Sequence, residues 1–132
     1  MPFGGGFFNG CIELQSRYKN SHLVIGENTA INNNAFIACA NSIVISDNCL
    51  IGRNLSMSDF EAHNTNPLLR NNLGMIGNIY IGKNVWIGNN VTILKNSEIG
   101  ENSIIAAGTV VSRKFTKNVI IGGVPAKIIK QI

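Results

Sequence analysis

His63, in the segment SDFEAH, is the side chain of this sequence best suited to proton-transfer chemistry. Imidazole titrates near neutral pH, so it can take the proton from a hydroxyl group while that group attacks a carbonyl carbon. Asp59 and Glu61 lie just upstream, and either carboxylate could hold the imidazole in one tautomer. These residues taken alone fit a second interpretation as well, in which His63 is a solvent-exposed loop histidine and the two carboxylates are surface charges. The other histidine, His22, precedes a predicted strand and is expected at the surface.

The sequence on both sides of this segment repeats every six residues. Large apolar residues recur at that spacing, at Ile25, Ile31, Ile37, Ile45, Ile51, Met57, Ile81, Ile87, Ile93, Ile99, Ile105 and Val111. Three residues after most of them comes a residue that turns easily, at Asn28, Asn34, Asn48, Asn54, Asn84, Asn90, Asn96, Asn102 and Gly108. An α-helix does not repeat every six residues, and a series of hairpins needs turn signals about every eight to twelve residues.

This period predicts an all-β fold, a parallel β-helix of hexapeptide repeats. Asn and Gly adopt the left-handed backbone conformation at the lowest cost, so one such residue in every six makes a corner. Three short strands then close a triangular coil, and each coil covers the apolar residues of its neighbour. The six-residue spacing shifts by two residues near Ile43. Ala40 stands there in place of the Asn or Gly expected at a corner, which suggests a bulged corner.

The repeat is lost between Met57 and Ile81, where the sequence is polar and rich in Asn. An insertion in a solenoid forms a loop on one face, and that face is often the binding face. We therefore predict one domain that consists of an irregular lead-in at 1–21, first coils at 22–57, an active-site loop at 58–78, later coils at 79–121 and a C-terminal tail or short helix at 122–132.

Composition narrows the classes of function. The chain has 132 residues and a net charge of +4 without a run of like charges, which argues against a nucleic-acid partner. Its three cysteines form no CxxC pair, so we expect free thiols in a reducing, cytoplasmic setting. The opening segment MPFGGGFFNG does not resemble a secretory signal, and no stretch reaches the ~18 apolar residues of a membrane span, so we expect no stable membrane insertion.

The segments SDFEAH, VWIGNNVTI, IIAAGTVVSRK and GGVPAKIIK resemble the hexapeptide-repeat acyltransferases over about residues 22–130. Within them, the sequence is most similar to the sugar O-acetyltransferases of the galactoside, maltose and capsular-polysaccharide type. The resemblance implies a left-handed coil, an exception to the usual right-handed crossover. It also implies a homotrimer with active sites between subunits, acetyl coenzyme A as co-substrate and no metal.

The resemblance assigns roles to individual residues. His63 would be the general base, and Asp59, with Glu61 as the alternative, would orient it. The contacts to the donor would come from Trp86, Asn89, Ala107, Ser112, Arg113, Lys127 and Lys130. Relatives often have arginine at the positions of the two lysines, and lysine lacks the bidentate geometry of arginine. Asn34 is a candidate acceptor contact, although its place at a corner explains it as well.

The function implied is transfer of an acetyl group to a sugar hydroxyl, in a surface polysaccharide or its precursor. N-acetylation of an amino sugar needs the same base and donor and stays open. A non-catalytic β-helix module also stays open, and it would leave His63 dispensable. A β-helical carbonic anhydrase is disfavoured, because its zinc site typically needs three histidines and this chain has two.

Overall fold

The computed structural model describes residues 11–132, which form a left-handed parallel β-helix with three flat sides. No α-helix occurs in this part of the chain, and its single helical turn is the 3₁₀ turn Pro67–Leu69. The short strands follow from the repeat, because a corner in every six residues leaves room for only a few extended residues on each side. The predicted fold is therefore confirmed.

Three sheets, named A, B and C, form the sides of the coil. Sheet A contains β1 (Ile12–Ser16), β4 (Ala35–Cys39), β7 (Ser56–Ser58), β10 (Thr92–Ile93) and β13 (Val110–Val111). Sheet B contains β2 (His22–Ile25), β5 (Ser42–Ile45), β8 (Asn78–Ile81), β11 (Ser97–Ile99) and β14 (Lys114–Phe115). Sheet C contains β3 (Ala30–Ile31), β6 (Leu50–Ile51), β9 (Trp86–Ile87), β12 (Ile104–Ile105), β15 (Val119–Gly122) and β16 (Lys127–Gln131). From β2 onward, the chain visits sheets B, C and A in that order.

The core consists of three columns of apolar side chains, one for each sheet. In sheet A, for example, Ile37, Met57, Ile93 and Val111 occupy equivalent positions on successive strands, and all four are fully buried. Burying one such side chain contributes about 1.5–3 kcal/mol, so the columns account for most of the favourable free energy of folding. Every large apolar residue of the predicted repeat lies in one of the three columns.

The corners are left-handed where the repeat predicts them. All eight asparagines of the predicted corner column have φ between 57° and 65°, and Gly108 has φ of 75°. Side-chain amides also bond along the stack: Asn84 donates to Asn102 at 3.0 Å, and Asn102 donates to Asn118 at 2.9 Å. The asparagines therefore set the backbone of each coil and connect it to the next one.

Three features differ from the sequence-based expectation. Residues 12–16, assigned to an irregular lead-in, form β1 and extend sheet A, while residues 1–10 of that lead-in lie outside the described residues. The six-residue spacing shifts a second time, by two residues, near Ser112. The core column of sheet B therefore continues at Phe115, and the next left-handed corner is Asn118. The C-terminal segment 122–132, predicted as a tail or short helix, contains a strand instead, because β16 pairs antiparallel with β15.

The long connection between β7 and β8, residues 59–77, lies at the edge where sheet A meets sheet B. We call it the insertion loop. It interrupts the repeat in the sequence but leaves the stack of coils intact, because β5 pairs with β8 in register across the insertion. Among residues 11–132, no helix is long and apolar enough to cross a membrane.

Candidate active site

The insertion loop begins at Asp59, which is fully buried. Its carboxylate accepts hydrogen bonds from the backbone N–H groups of Ala40, Asn41 and Ser42 at 2.7, 2.9 and 2.7 Å. These three residues form the corner between β4 and β5, the place where Ala40 breaks the column of corner asparagines. The carboxylate therefore stabilises a corner that has no left-handed residue, and it connects this corner to the start of the loop.

A buried thiol completes the surroundings of this carboxylate. The Sγ atom of Cys39 lies 3.7 Å from Oδ2 of Asp59. Burial, and then the negative charge of Asp59, raise the pKa of the Cys39 thiol. The thiol consequently stays protonated and can donate weakly to the carboxylate, so neither group is available to a ligand.

Backbone hydrogen bonds close the neck of the insertion loop. Gly77 N donates to Asp59 O at 2.7 Å, Glu61 N to Met75 O at 2.8 Å, and Gly74 N to Glu61 O at 2.9 Å. Gly74 is needed at this neck, because a Cβ atom there would collide with the carbonyl oxygen of His63. The neck thus fixes the backbone at His63 from both sides.

His63 is exposed near the tip of the insertion loop. Its Nδ1 atom lies 2.9 Å from the carbonyl oxygen of Arg70, which follows the 3₁₀ turn. A carbonyl oxygen can only accept, so the hydrogen-bond pattern assigns the proton to Nδ1. In the neutral imidazole Nε2 then has a free lone pair, as a general base requires.

Neither upstream carboxylate hydrogen-bonds to this imidazole. The hydrogen bonds of Asp59 go to the corner between β4 and β5, and Glu61 forms a salt bridge of 2.9 Å with Lys95, between β10 and β11. The hydrogen bond from Lys95 holds the pKa of Glu61 below its ordinary value. Both carboxylates therefore anchor the loop to the coil, and a backbone carbonyl orients the imidazole instead.

His63 opens into a cavity of about 340 Å³ at the A–B edge. The cavity is lined by Arg17, Tyr18, Phe60, Ala62, His63, Asn71 and Leu73. Arg17 and Tyr18 could not be predicted from the repeat, because they precede it in the sequence. They lie beside His63 only because β1 pairs with β4. The cavity has room for a ligand portion of about the size of a single sugar ring.

A groove follows a different edge, where sheet C meets sheet A. Two adjoining cavities of about 310 and 410 Å³ share Gly52, Trp86 and Asn89, and the second one extends to Ala107. Trp86 is 54% exposed despite its size. The Oδ1 atom of Asn89 accepts from Arg53 N at 2.8 Å, and the rest of its amide stays available to a ligand.

The groove brings together three of the predicted donor residues, Trp86, Asn89 and Ala107. The other predicted residues lie elsewhere. Ser112 and Arg113 are exposed between β13 and β14, at the same A–B edge as His63, and the guanidinium of Arg113 lies 4.1 Å from the ring centre of Phe115. Lys127 and Lys130 are exposed on β16, at the end of sheet C. Asn34 is an exposed corner residue with φ of 62° and lines none of these cavities.

The small residues of the groove fit a ligand that runs close to the backbone. A Cβ atom added to Gly108 would meet nothing within 4 Å, so the surface beside Ala107 is open. A long, thin molecule could therefore lie along successive coils, against the Trp86 ring. The described residues contain no group of three His, Cys, Asp or Glu side chains placed to hold a metal ion.

Comparisons with known proteins agree with this geometry. The bacterial transferase hexapeptide family (six repeats) matches residues 78–113. Among solved structures, a galactoside acetyltransferase in complex with coenzyme A is 37% identical with a TM-score of 0.81, and the match covers 94% of this chain and 62% of that one. A comparison with curated protein sequences gave no match.

Two further structures are similar. A hexapeptide-repeat-containing acetyltransferase of Vibrio cholerae, complexed with acetyl coenzyme A, is 30% identical with a TM-score of 0.75, and the match covers 82% of this chain and 60% of that one. A maltose O-acetyltransferase from Clostridium difficile is 30% identical with a TM-score of 0.73, at 92% and 67% coverage.

The fold and the groove define a left-handed β-helix with an open groove along one edge. The chain belongs to the hexapeptide-repeat transferase family. It spans less than two thirds of the length of the galactoside and Vibrio cholerae enzymes.

The corner at Asp59 yields a stability prediction. We expect Asp59→Asn to lower the free energy of unfolding by about 2–5 kcal/mol, because an amide provides one acceptor oxygen and turns its NH₂ group towards buried N–H donors. Asp47→Asn is the matched control, since Asp47 is only half-buried and accepts one backbone hydrogen bond, from Glu27 N at 2.8 Å. Denaturant unfolding at one protein concentration measures both, and equal losses would contradict the structural role of Asp59.

Proposed function

We propose that this protein is an acetyl-coenzyme A-dependent O-acetyltransferase that acts on a sugar hydroxyl, in a surface polysaccharide or its precursor. The observation that carries the proposal is the pairing of an open groove along the coils with an exposed imidazole whose Nδ1 is hydrogen-bonded to the carbonyl oxygen of Arg70, so that its Nε2 takes no part in that bond. Two of the similar structures contain coenzyme A or acetyl coenzyme A, and two are named as acetyltransferases of galactoside or maltose. These names support a saccharide acceptor.

Trp86, Asn89 and Ala107 would hold the donor. The indole offers an apolar surface to the pantetheine portion, and the Asn89 amide offers a hydrogen-bond donor. Arg113, Lys127 and Lys130 would meet the phosphates, and Ser112 lies beside Arg113. Acetyl coenzyme A supplies the acetyl group as a thioester.

His63 would perform the proton transfers. Its Nε2 takes the proton from the sugar hydroxyl as that oxygen bonds to the carbonyl carbon of the thioester. The imidazolium then gives the same proton to the departing sulfur, so the histidine ends neutral. The carbonyl of Arg70 keeps the ring in the required tautomer throughout. Asp59 acts as a positioning residue, because it holds the start of the loop rather than the imidazole.

Completion of the site requires a second copy of the chain. The cavity at His63 lies at the A–B edge, the groove lies at the C–A edge, and the two share no lining residue. Two edges of one triangular coil cannot face each other, whereas the A–B edge of one copy can face the C–A edge of the next. Such a head-to-tail contact forms a closed ring when each copy is rotated by a third of a turn relative to the one before it. We therefore propose a homotrimer with one site in each of three interfaces.

Asn34 and the cysteines are secondary to this proposal. Asn34 lies at the C–A edge and would approach the acceptor only across such an interface. Cys11, Cys39 and Cys49 are all free, which supports a reducing compartment such as the cytoplasm.

The role of His63 can be measured directly. We expect His63→Ala to lower kcat for acetyl transfer by about 10²–10⁴-fold with little change in the KM for acetyl coenzyme A, because only the proton acceptor is removed. His22→Ala is the matched control, since His22 is the other histidine and is exposed on β2. The assay follows release of free thiol with a panel of sugars and amino sugars. Turnover within about threefold of wild type would contradict the assignment of the base.

The shared interface can be tested by mixing two inactive variants. His63→Ala removes the base, and Ala107→Trp fills the groove. Co-expression with two different tags allows trimers that contain both variants to be isolated. We expect these trimers to show about a third of wild-type activity, because a three-fold ring with both variants has one intact interface. Homotrimers of either variant serve as controls. Mixed trimers as inactive as the controls would show that each site lies within one chain.

A further inference from the structure

The segment after β1 places two side chains beside His63. Arg17 N donates to Cys39 O at 2.9 Å, which ties this segment to the end of β4. Ser21 closes a turn around Tyr18, because its N and Oγ donate to Tyr18 O at 3.0 and 2.7 Å. Arg17 and Tyr18 are therefore held in place by the coil, in the wall of the cavity into which His63 opens.

The guanidinium of Arg17 is supported but not neutralised. It lies 5.3 Å from the ring centre of Phe60, which is itself buried in the wall of the cavity. Within residues 11–132 the salt bridges are those of Lys95 with Glu61 and of Lys114 with Glu98, and neither includes Arg17. The sequence of residues 1–10 contains no Asp or Glu. Arg17 thus carries a charge with no carboxylate partner among residues 11–132.

The other charges near the cavity do not offset that of Arg17. Glu61 is already paired with Lys95, and the carboxylate of Asp59 is buried behind the loop with its own three donors. None of the remaining polar residues of the lining carries a carboxylate; they are Tyr18, Asn71 and His63. The cavity at His63 is consequently positive at the side that Arg17 lines.

We propose that Arg17 and Tyr18 form an acceptor subsite that selects a sugar bearing an oxyanion, a carboxylate or a phosphate. This inference rests on the proposed function, because it takes the His63 cavity as the acceptor site. A guanidinium has only donors, in a planar fork that matches a carboxylate or phosphate. The Phe60 ring lies beneath that fork at 5.3 Å, and the half-exposed Tyr18 ring offers a face to the apolar side of the sugar.

Such a subsite discriminates against neutral sugars for a physical reason. A neutral ring that fills the cavity would cover the guanidinium without supplying an anionic acceptor, which leaves a desolvated charge unpaired. A site built around a hydrogen-bonding group rejects analogues that lack its partner more strongly than it rejects analogues of different size. Arg17 would then set the substrate class, while His63 performs the chemistry.

Binding of matched sugars to the coenzyme A complex tests this subsite without requiring turnover. The probes are glucose, glucuronic acid and glucose 6-phosphate, with the corresponding galactose and mannose sets, measured by calorimetry and saturation-transfer NMR. We expect at least one anionic sugar to bind about 10- to 100-fold more tightly than its neutral counterpart. The carboxylated and phosphorylated members show which oxyanion is preferred. No preference for any anionic member would overturn the proposal.

Variants assign that preference to the side chain. Arg17→Ala should remove the preference, Arg17→Lys should keep part of it, and Lys19→Ala, an exposed cation of the same turn that does not line the cavity, should leave it unchanged. An anion preference that survives Arg17→Ala would contradict the subsite. Anion-selective binding without acetyl transfer would instead contradict the proposed function and still support the subsite. Acetyl transfer to neutral sugars alone would support the proposed function and contradict the subsite.

Discussion

A left-handed corner in every six residues is the constraint on which the rest of this structure depends. It fixes strands of two to five residues, places one apolar side chain of each strand from β2 to β15 in a core column, and stacks successive coils in register. Asparagine meets the constraint at low cost, and its amide can bond to the next coil as well. Wherever the corner column is broken, another group must support the backbone. The corner at Ala40 is supported by the buried carboxylate of Asp59, and the insertion loop starts from that carboxylate.

The regular and the broken parts of the coil offer different chemistry. The regular C–A edge exposes small residues and one large aromatic residue in a continuous groove, which suits an extended ligand. The broken A–B edge exposes the insertion loop, whose neck is closed by backbone hydrogen bonds and whose histidine is oriented by a backbone carbonyl. Under the proposed function, the scaffold thus separates the donor groove from the general base within one chain. A cyclic assembly would bring the two together, and it would also bring Arg113 at the A–B edge towards a neighbouring groove.

Local periodicity explains how much of the fold and of the candidate site could be predicted from the sequence. The core columns, the corner asparagines and the place of the loop follow from one rule applied six residues at a time. The groove residues Trp86, Asn89 and Ala107 do not follow from that rule, and only the resemblance to the acyltransferases pointed to them. The roles of Asp59 and Arg17 do not follow from the rule either, because both depend on contacts between successive coils. The strand at β1 and the shift of spacing near Ser112 were missed for a related reason, since neither keeps the six-residue spacing.

Binding of the acyl donor to the groove is the central claim, and titration of the wild-type protein with coenzyme A in a calorimeter tests it most directly. The groove predicts saturable binding of one coenzyme A per chain, weakened about tenfold or more by Trp86→Ala, which removes the aromatic surface. Absence of binding by the wild-type protein, or full affinity in Trp86→Ala, would contradict the account.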